Sequence, residues 1–329
     1  MKILSHEPLK TPVVFIIFNR PDLTRRVFDE IARVRPAQLF VIADGPRTPQ
    51  EADKCEQTRA VIKLVDWDCE VHTSFSDKNL GGPRRISGGL DWVFSNVEEA
   101  IVLEDDCLPA RTFFHFCQSL LERYRHDHRI MSISGDNYQN ERNSGASYYF
   151  SKYSQTWGWA SWRRAWNHFD LEMKTWKQFK ENNLLRSICP DEAELQYWTE
   201  IFDRCTIHSD IHWDYAFLYA CWAQNGLCVL PTRNLISNIG FRPDATHTTH
   251  VDDPMANAAI EEIDELIHPP FIVSNSDADY RDFENVFGGK DFKEQRSVRM
   301  RVNQRLRRLL KKLSPAAQRE VLNGAKAHQ

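Results

Sequence analysis

The chain alternates short apolar runs with longer amphipathic stretches. Residues 13–18, Val-Val-Phe-Ile-Ile-Phe, contain no polar position, and 39–43, Leu-Phe-Val-Ile-Ala, repeat the pattern. Unbroken apolar runs of this length read as strands with both faces covered. Between them a helical pattern runs to Val34, with Asp22 as its expected cap. A second helix is expected over about 50–65, a weakly alternating strand over 70–75, and a helix over about 84–95 after the turn Asn79-Leu-Gly-Gly-Pro83. Residues 100–103 make the next strand and 130–134 another, with Pro109 expected to open a helix between them that reaches about Tyr124. Strand–helix alternation over the first 135 residues predicts an α/β fold with a mostly parallel central sheet and helices on both faces.

After Gly135 the rhythm changes. Residues 136–147 are polar and loop-like, and 148–150 suit a short strand. The tryptophan-rich stretch Trp157-Gly-Trp-Ala-Ser-Trp-Arg-Arg-Ala-Trp166 leads into helical patterns up to about Arg204. Ser209 or Asp210 is placed to cap a helix to Gln224, with Gly226 just past its end, and 227–231 and 235–239 read as strands. One continuous domain is expected over 1–260, divided into halves at 11–135 and 136–260, with 261–329 as connection and tail. Residues 265–290 read as irregular and polar. From Lys290 to Lys312 the charges are almost all Lys and Arg, on a helical stripe of Val302, Leu306, Leu309 and Leu310. Such a helix packs on its own domain, meets a second subunit or rests on an anionic membrane surface.

The most informative point is where the fourth strand stops. Ala100-Ile-Val-Leu103 runs straight into Glu104, Asp105 and Asp106. Three carboxylates cannot remain charged inside a strand without partners. They therefore mark its carboxyl end, where an open α/β sheet has its ligand crevice. Hard oxygen ligands crowded in this way suit Mg²⁺ or Mn²⁺, with Asp106 the expected direct ligand. The bland alternative is an acidic cap facing solvent. Arg20 and Asp44 follow the first and second strands, so both are expected at the same crevice. The glycines and arginines of 79–89 precede a helix start, where backbone amides and the helix dipole favour phosphate, and Arg84 or Arg85 can add a bidentate contact. Trp157, beside Gly158, offers a flat apolar face to a sugar ring, whereas Trp162 and Trp166 at helical spacing read as core.

Composition narrows the setting. The 329 residues are 42% hydrophobic, enough for a substantial core, and the net charge of −4 gives no push toward nucleic acid. Eight scattered cysteines without a C-x-x-C pair fit reduced thiols, and the start of the chain lacks a signal-type apolar region. A cytoplasmic protein is expected, with peripheral contact at the inner membrane face as an option for 290–312.

The ordered set of residues 13–20, Asp44-Gly45, residues 84–90 and Glu104-Asp-Asp106 resembles the nucleotide-sugar half of GT-A fold glycosyltransferases. The nearest likeness is the N-acetylglucosaminyltransferase I-like family, glycosyltransferase family 13, over residues 11–250. That resemblance implies a metal-dependent transfer from a nucleoside-diphosphate sugar, a UDP-sugar with UDP-N-acetylglucosamine as first guess, to a glycan, lipid-linked or protein acceptor by inverting displacement. It implies that Arg20 and Asp44 surround the uridine, and that Glu104 and Asp105 lie near ribose, sugar or metal-bound water. The family's Trp-Asp base falls on Trp213-Asp214, with Tyr215 where the family has a second acid. A late histidine completing the metal or diphosphate shell falls on His247. The rival readings are a sugar-phosphate nucleotidyltransferase, which normally carries a glycine-rich signature after the first strand, and a non-catalytic carbohydrate-binding protein. A Rossmann dehydrogenase lacks its fingerprint here.

Overall fold

The computed structural model describes residues 8–139, 145–208, 212–242 and 255–297. Its first half alternates as expected: β1 (Val13–Ile17), α1 (Pro21–Val34), β2 (Gln38–Ala43), α2 (Ala52–Ala60), β3 (Glu70–Phe75), α3 (Gly82–Asn96) and β4 (Glu99–Glu104). Then come β5 (Cys107–Pro109), α4 (Phe113–Tyr124), β6 (Ile130–Ser134), β7 (Tyr148–Ser151) and β8 (Trp159–Trp162). α5 (Arg163–Trp166), α6 (Trp176–Glu181), α7 (Glu192–Ile207), α8 (Trp213–Ala223), β9 (Leu227–Pro231), β10 (Ile236–Asn238) and α9 (Ser276–Asn285) complete the set. Among the described residues, one sheet runs β3-β2-β1-β4-β8-β6-β9-β7, and β5 pairs separately with β10. β1, β2, β3 and β4 are mutually parallel, so their carboxyl ends open on one edge. β8 and β7 run antiparallel to their neighbours.

The sheet buries both faces. Val13, Phe15 and Ile17 of β1 pack with Leu23, Val27, Phe28 and Ile31 of α1 and with α4 on one side. Val14 and Ile16 pack with Leu90, Val93 and Phe94 of α3, with Trp159 and with Phe217 of α8 on the other. This is why neither strand shows polar alternation. A third apolar cluster joins α6, α7 and α8 through Trp176, Trp198, Phe202 and Trp222.

Several local expectations change. Asp22 does not cap α1: Pro21 takes the first helical position and Asp22 lies in the first turn, bonded to Arg242 at 2.6 Å. The 50–65 stretch divides into two 3₁₀ turns around a short α2. Pro109 ends β5 instead of opening a helix, because Cys107–Pro109 pair with β10. Residues 159–162 are a central strand and not helix. Gly158, at φ 84, interrupts the chain there, and Trp159 and Trp162 alternate onto opposite faces. Their spacings of three and four up to Trp166 match a helix, so the pattern alone does not show the strand.

Residues 265–290 are also more ordered than their polarity implies. Ile263 and Leu266 join the first cluster, Ser274 bridges to Phe150, and α9 packs Ala278 beside Tyr149, Cys228 and Leu230. α9 turns two acids inward. Ser151 Oγ donates to Asp279 at 2.5 Å, and the Nε2 groups of Gln139 and Gln155 donate to Asp282 at 3.0 and 3.2 Å. Burial pushes Asp282 up to about 7 and Asp279 up to about 6. Both acids ionise at ordinary carboxylate pH in the unfolded chain. The stability tied to their protonated forms is therefore full below that range and is lost as pH rises toward 7. Asp282→Asn should flatten this dependence and raise stability at pH 8 by on the order of 2 kcal/mol, read by urea denaturation at several pH values. The amide can donate to Gln155 Oε1, which has no partner among the described residues.

Residues 289–297 are helical. The rest of the basic 290–312 stretch, and Ser209 and Asp210, lie outside the described residues. Among the described residues no helix is long and apolar enough to cross a membrane.

Candidate active site

The carboxyl ends of β1, β2 and β4 meet at one cavity of about 450 Å³. Registers Ile17↔Ala43 and Ile16↔Glu104 align the three ends, so the residues just beyond them must converge. Arg20, Asp44, Glu104, Asp105, Asp106, Trp157 and Asp214 all line this space.

The acids are organised by Arg20. Its guanidinium pairs with Asp105 at 2.9 Å and with Asp106 at 2.8 Å. Burial alone would weaken its charge, but Asp105, Asp106 and Glu104 more than offset that and raise its pKa further. Asp105 is enclosed and also accepts the Phe18 N–H at 3.1 Å, so it ties β1 to the end of β4. Burial pushes Asp105 up to about 7 despite Arg20. Glu104 is pushed up to about 8, by burial first and then by Asp106 and Asp105. Asp214 lies close enough to add to that push.

Asp106 is confined from the far side by the β10 segment. The Ile239 N–H donates to the Asp106 carbonyl at 2.8 Å. Gly240 then passes so close that a Cβ there would stand 2.2 Å from Asp106 Oδ2. Only a residue without a side chain permits that approach. Among the described residues Asp106 Oδ1 has just a long 3.5 Å contact with the Cys107 thiol. The Glu104 carboxyl group forms no hydrogen bond or ion pair among the described residues, while its main chain pairs with β1. Two hard carboxylates thus face the cavity with coordination capacity. Among the described residues no cluster of three His, Cys, Asp or Glu is arranged to enclose an ion by itself. Two carboxylates fit the mode in which Mg²⁺ or Mn²⁺ keeps water and takes substrate phosphate oxygens as its remaining ligands.

Asp44 is at the cavity wall, but its oxygens are filled. They accept the N–H groups of Gly45 at 2.9 Å, Leu80 at 2.9 Å and Gly81 at 3.0 Å. Its visible role is to hold the loop before α3, not to offer a free acceptor to a base. The phosphate-loop expectation also shifts by one position. Arg84 is exposed and does not line the cavity, whereas Arg85 does. Arg85 is committed to the backbone, donating to the Ala43 carbonyl at 3.1 Å and to the carbonyl and hydroxyl of Ser74.

Asp214 sits in the first turn of α8, where the helix dipole favours its charge. Its side chain is 38% exposed, and His212 Nδ1 approaches it at 3.8 Å. Trp157 is half-buried, with its main-chain N–H donating to Asp136 Oδ2 at 3.1 Å and Tyr138 and Phe241 edge-on to its ring. His247 lies outside the described residues. Sequence reasoning missed Arg47, Thr156, His212, Tyr215 and Asn238, which also line the cavity. His212 and Tyr215 flank Asp214 in one motif, and Arg47 follows the end of β2, so the strand-end rule could have found them. Asn238 carried no signal, because its place depends on β10 crossing over β5.

No family model and no curated protein matches the sequence. Among solved structures, the chain is similar to the mannosyltransferase PcManGT from Pyrobaculum calidifontis in complex with GDP-Man and Mn²⁺, at 13% identity over 50% of this chain and 48% of that one, TM-score 0.31. It is similar to S. aureus TarS 1–349 at 11% identity over 69% and 59%, TM-score 0.37. It is similar to UDP-glucose pyrophosphorylase complexed with UDP-glucose at 10% identity over 48% and 70%, TM-score 0.25. The chain thus spans 48% and 59% of the first two. Scores this low leave function to rest on the chain's own residues.

Proposed function

We propose that the protein is a metal-dependent glycosyltransferase of GT-A type, taking its donor in the half before Gly135 and its acceptor in the half after it. The observation that carries this reading is the convergence of Glu104, Asp106, Arg20 and Asp214 on one cavity at the carboxyl ends of parallel strands. Asp106, with Glu104 beside it, would hold Mn²⁺ or Mg²⁺. Bound there, the ion supplies Lewis-acid stabilisation to a leaving diphosphate. Arg20 adds fixed positive charge at the same point, and the loop held by Asp44 forms the opposite rim. Trp157 offers its face to a sugar ring. Asp214 takes the proton of the acceptor hydroxyl as its oxygen bonds to the anomeric carbon and the bond to the diphosphate breaks, which inverts the centre.

The donor class we favour is a UDP-sugar, with UDP-N-acetylglucosamine first, and His247 remains our candidate for a further metal or diphosphate contact. The Asn19-Arg-Pro-Asp22 turn after β1 has no glycine, which weighs against a nucleotidyltransferase. For the basic 290–312 stretch we keep three readings, packing on its own domain, contact with a second subunit and contact with an anionic membrane surface; packing is favoured, since Phe292 is edge-on to Tyr197 and Lys293 donates to Glu284 at 2.5 Å. A screen of nucleotide sugars for hydrolysis or transfer, with Mn²⁺ or with EDTA, tests the whole reading. Turnover of at least one donor that EDTA abolishes is expected. Activity on none of them, or equal activity in EDTA, would remove it.

A further inference from the structure

β3 ends the sheet on one side, and among the described residues only β2 pairs with it. The N–H of Glu70 donates to Ala37 and that of Ser76 to Ala43, so the even-numbered residues turn their peptide groups toward β2. Val71, Thr73 and Phe75 turn theirs outward. Proteins usually blunt such an edge with lysine, proline, a bulge or a covering element. Among the described residues no element covers β3, although the Arg59 guanidinium lies 5.0 Å over the Phe75 ring; its register is unbroken from Gln38↔Glu70 to Ala43↔Phe75, and its one carboxylate is at the end. Val71 and Phe75 are 38% and 39% exposed, and Leu64, in the same layer, is 45% exposed.

We propose that β3 pairs antiparallel with β3 of a second copy, about a two-fold axis at Thr73, joining two sheets into one. This register sets Val71 opposite Phe75, Thr73 opposite Thr73, His72 opposite Ser74 and Glu70 opposite Ser76. Every outward-facing residue then meets an outward-facing residue, the arrangement in which both N–H···O bonds are exchanged. Aromatic with β-branched and threonine with threonine are favourable cross-strand pairs, and no like charges meet. Such self-complementarity points to the chain's own copy as the occupant, since a foreign strand would not require it. The pairing would also steady the cavity rim. Arg59 donates to the Ser76 carbonyl at 2.7 Å, and Asn79 and Gly81 follow directly into the cavity wall.

Sedimentation velocity should give the wild type twice the 38.5 kDa chain mass. Thr73→Pro removes an outward N–H at the axis while sparing the ladder to β2, and should give a folded monomer with an unchanged far-ultraviolet spectrum. Val71→Lys should also give a monomer, and adding Phe75→Glu should restore the dimer, because each lysine then faces a glutamate of the other copy. The double variant keeps the idea testable if Thr73→Pro misfolds. A monomeric wild type, a dimer that Val71→Lys leaves intact, or a double variant that stays monomeric would each overturn the pairing.

Discussion

Asp214→Asn should keep donor binding and lower kcat by about 10²–10⁴, the range for a lost general base. Asparagine has nearly the same shape and can keep contact with His212, 3.8 Å away, but it cannot take a proton at neutral pH. Asp214 is 38% exposed, so the fold should not register the change. The measurement is donor affinity beside single-turnover transfer. Normal turnover would move the base elsewhere, with Glu104 next in line because it shares the cavity. Loss of donor binding would mean that Asp214 holds the donor and does not serve the acceptor.

Arg20→Ala should lower stability by about 3 kcal/mol and, with it, weaken nucleotide binding. Removing one partner of a buried ion pair leaves an uncompensated charge, at a cost of about 3–5 kcal/mol. The low end applies because Arg20 remains 21% exposed. Asp105, 3% exposed at its side chain, would be stranded and would sit protonated over more of the pH range. Arg20→Ala combined with Asp105→Asn should therefore recover much of the stability without recovering nucleotide binding, by urea denaturation and calorimetry. An unchanged denaturation midpoint in the single variant would show that the pair carries little.

The parallel half of the sheet was legible because 13–17, 39–43 and 100–103 are apolar throughout and end in sharp polar signals. The same feature placed Arg20, Glu104, Asp105, Asp106 and Asp44 at one crevice, since the carboxyl ends of parallel neighbours must coincide. The antiparallel insertion of β8 was not legible. Its two tryptophans are three apart, a helical spacing, and only the pairing with β4 and β6 makes the segment a strand that sends them to opposite faces. The part played by Asp44 was hidden for a related reason. Its partners are main-chain N–H groups 36 and 37 residues away, which no side-chain pattern encodes. Arg84 and Arg85 are adjacent, and only the helix phase decides which turns inward.

The tight passage of Gly240 beside Asp106 bears on how the protein is made. A nascent chain released only to Ser134 would already own the acidic strand end and its arginine. It would lack the backbone that braces Asp106 from the far side, because that brace is translated roughly a hundred residues later. Early-emerging chain should consequently bind divalent ions loosely, and competence for the donor should arise late in synthesis.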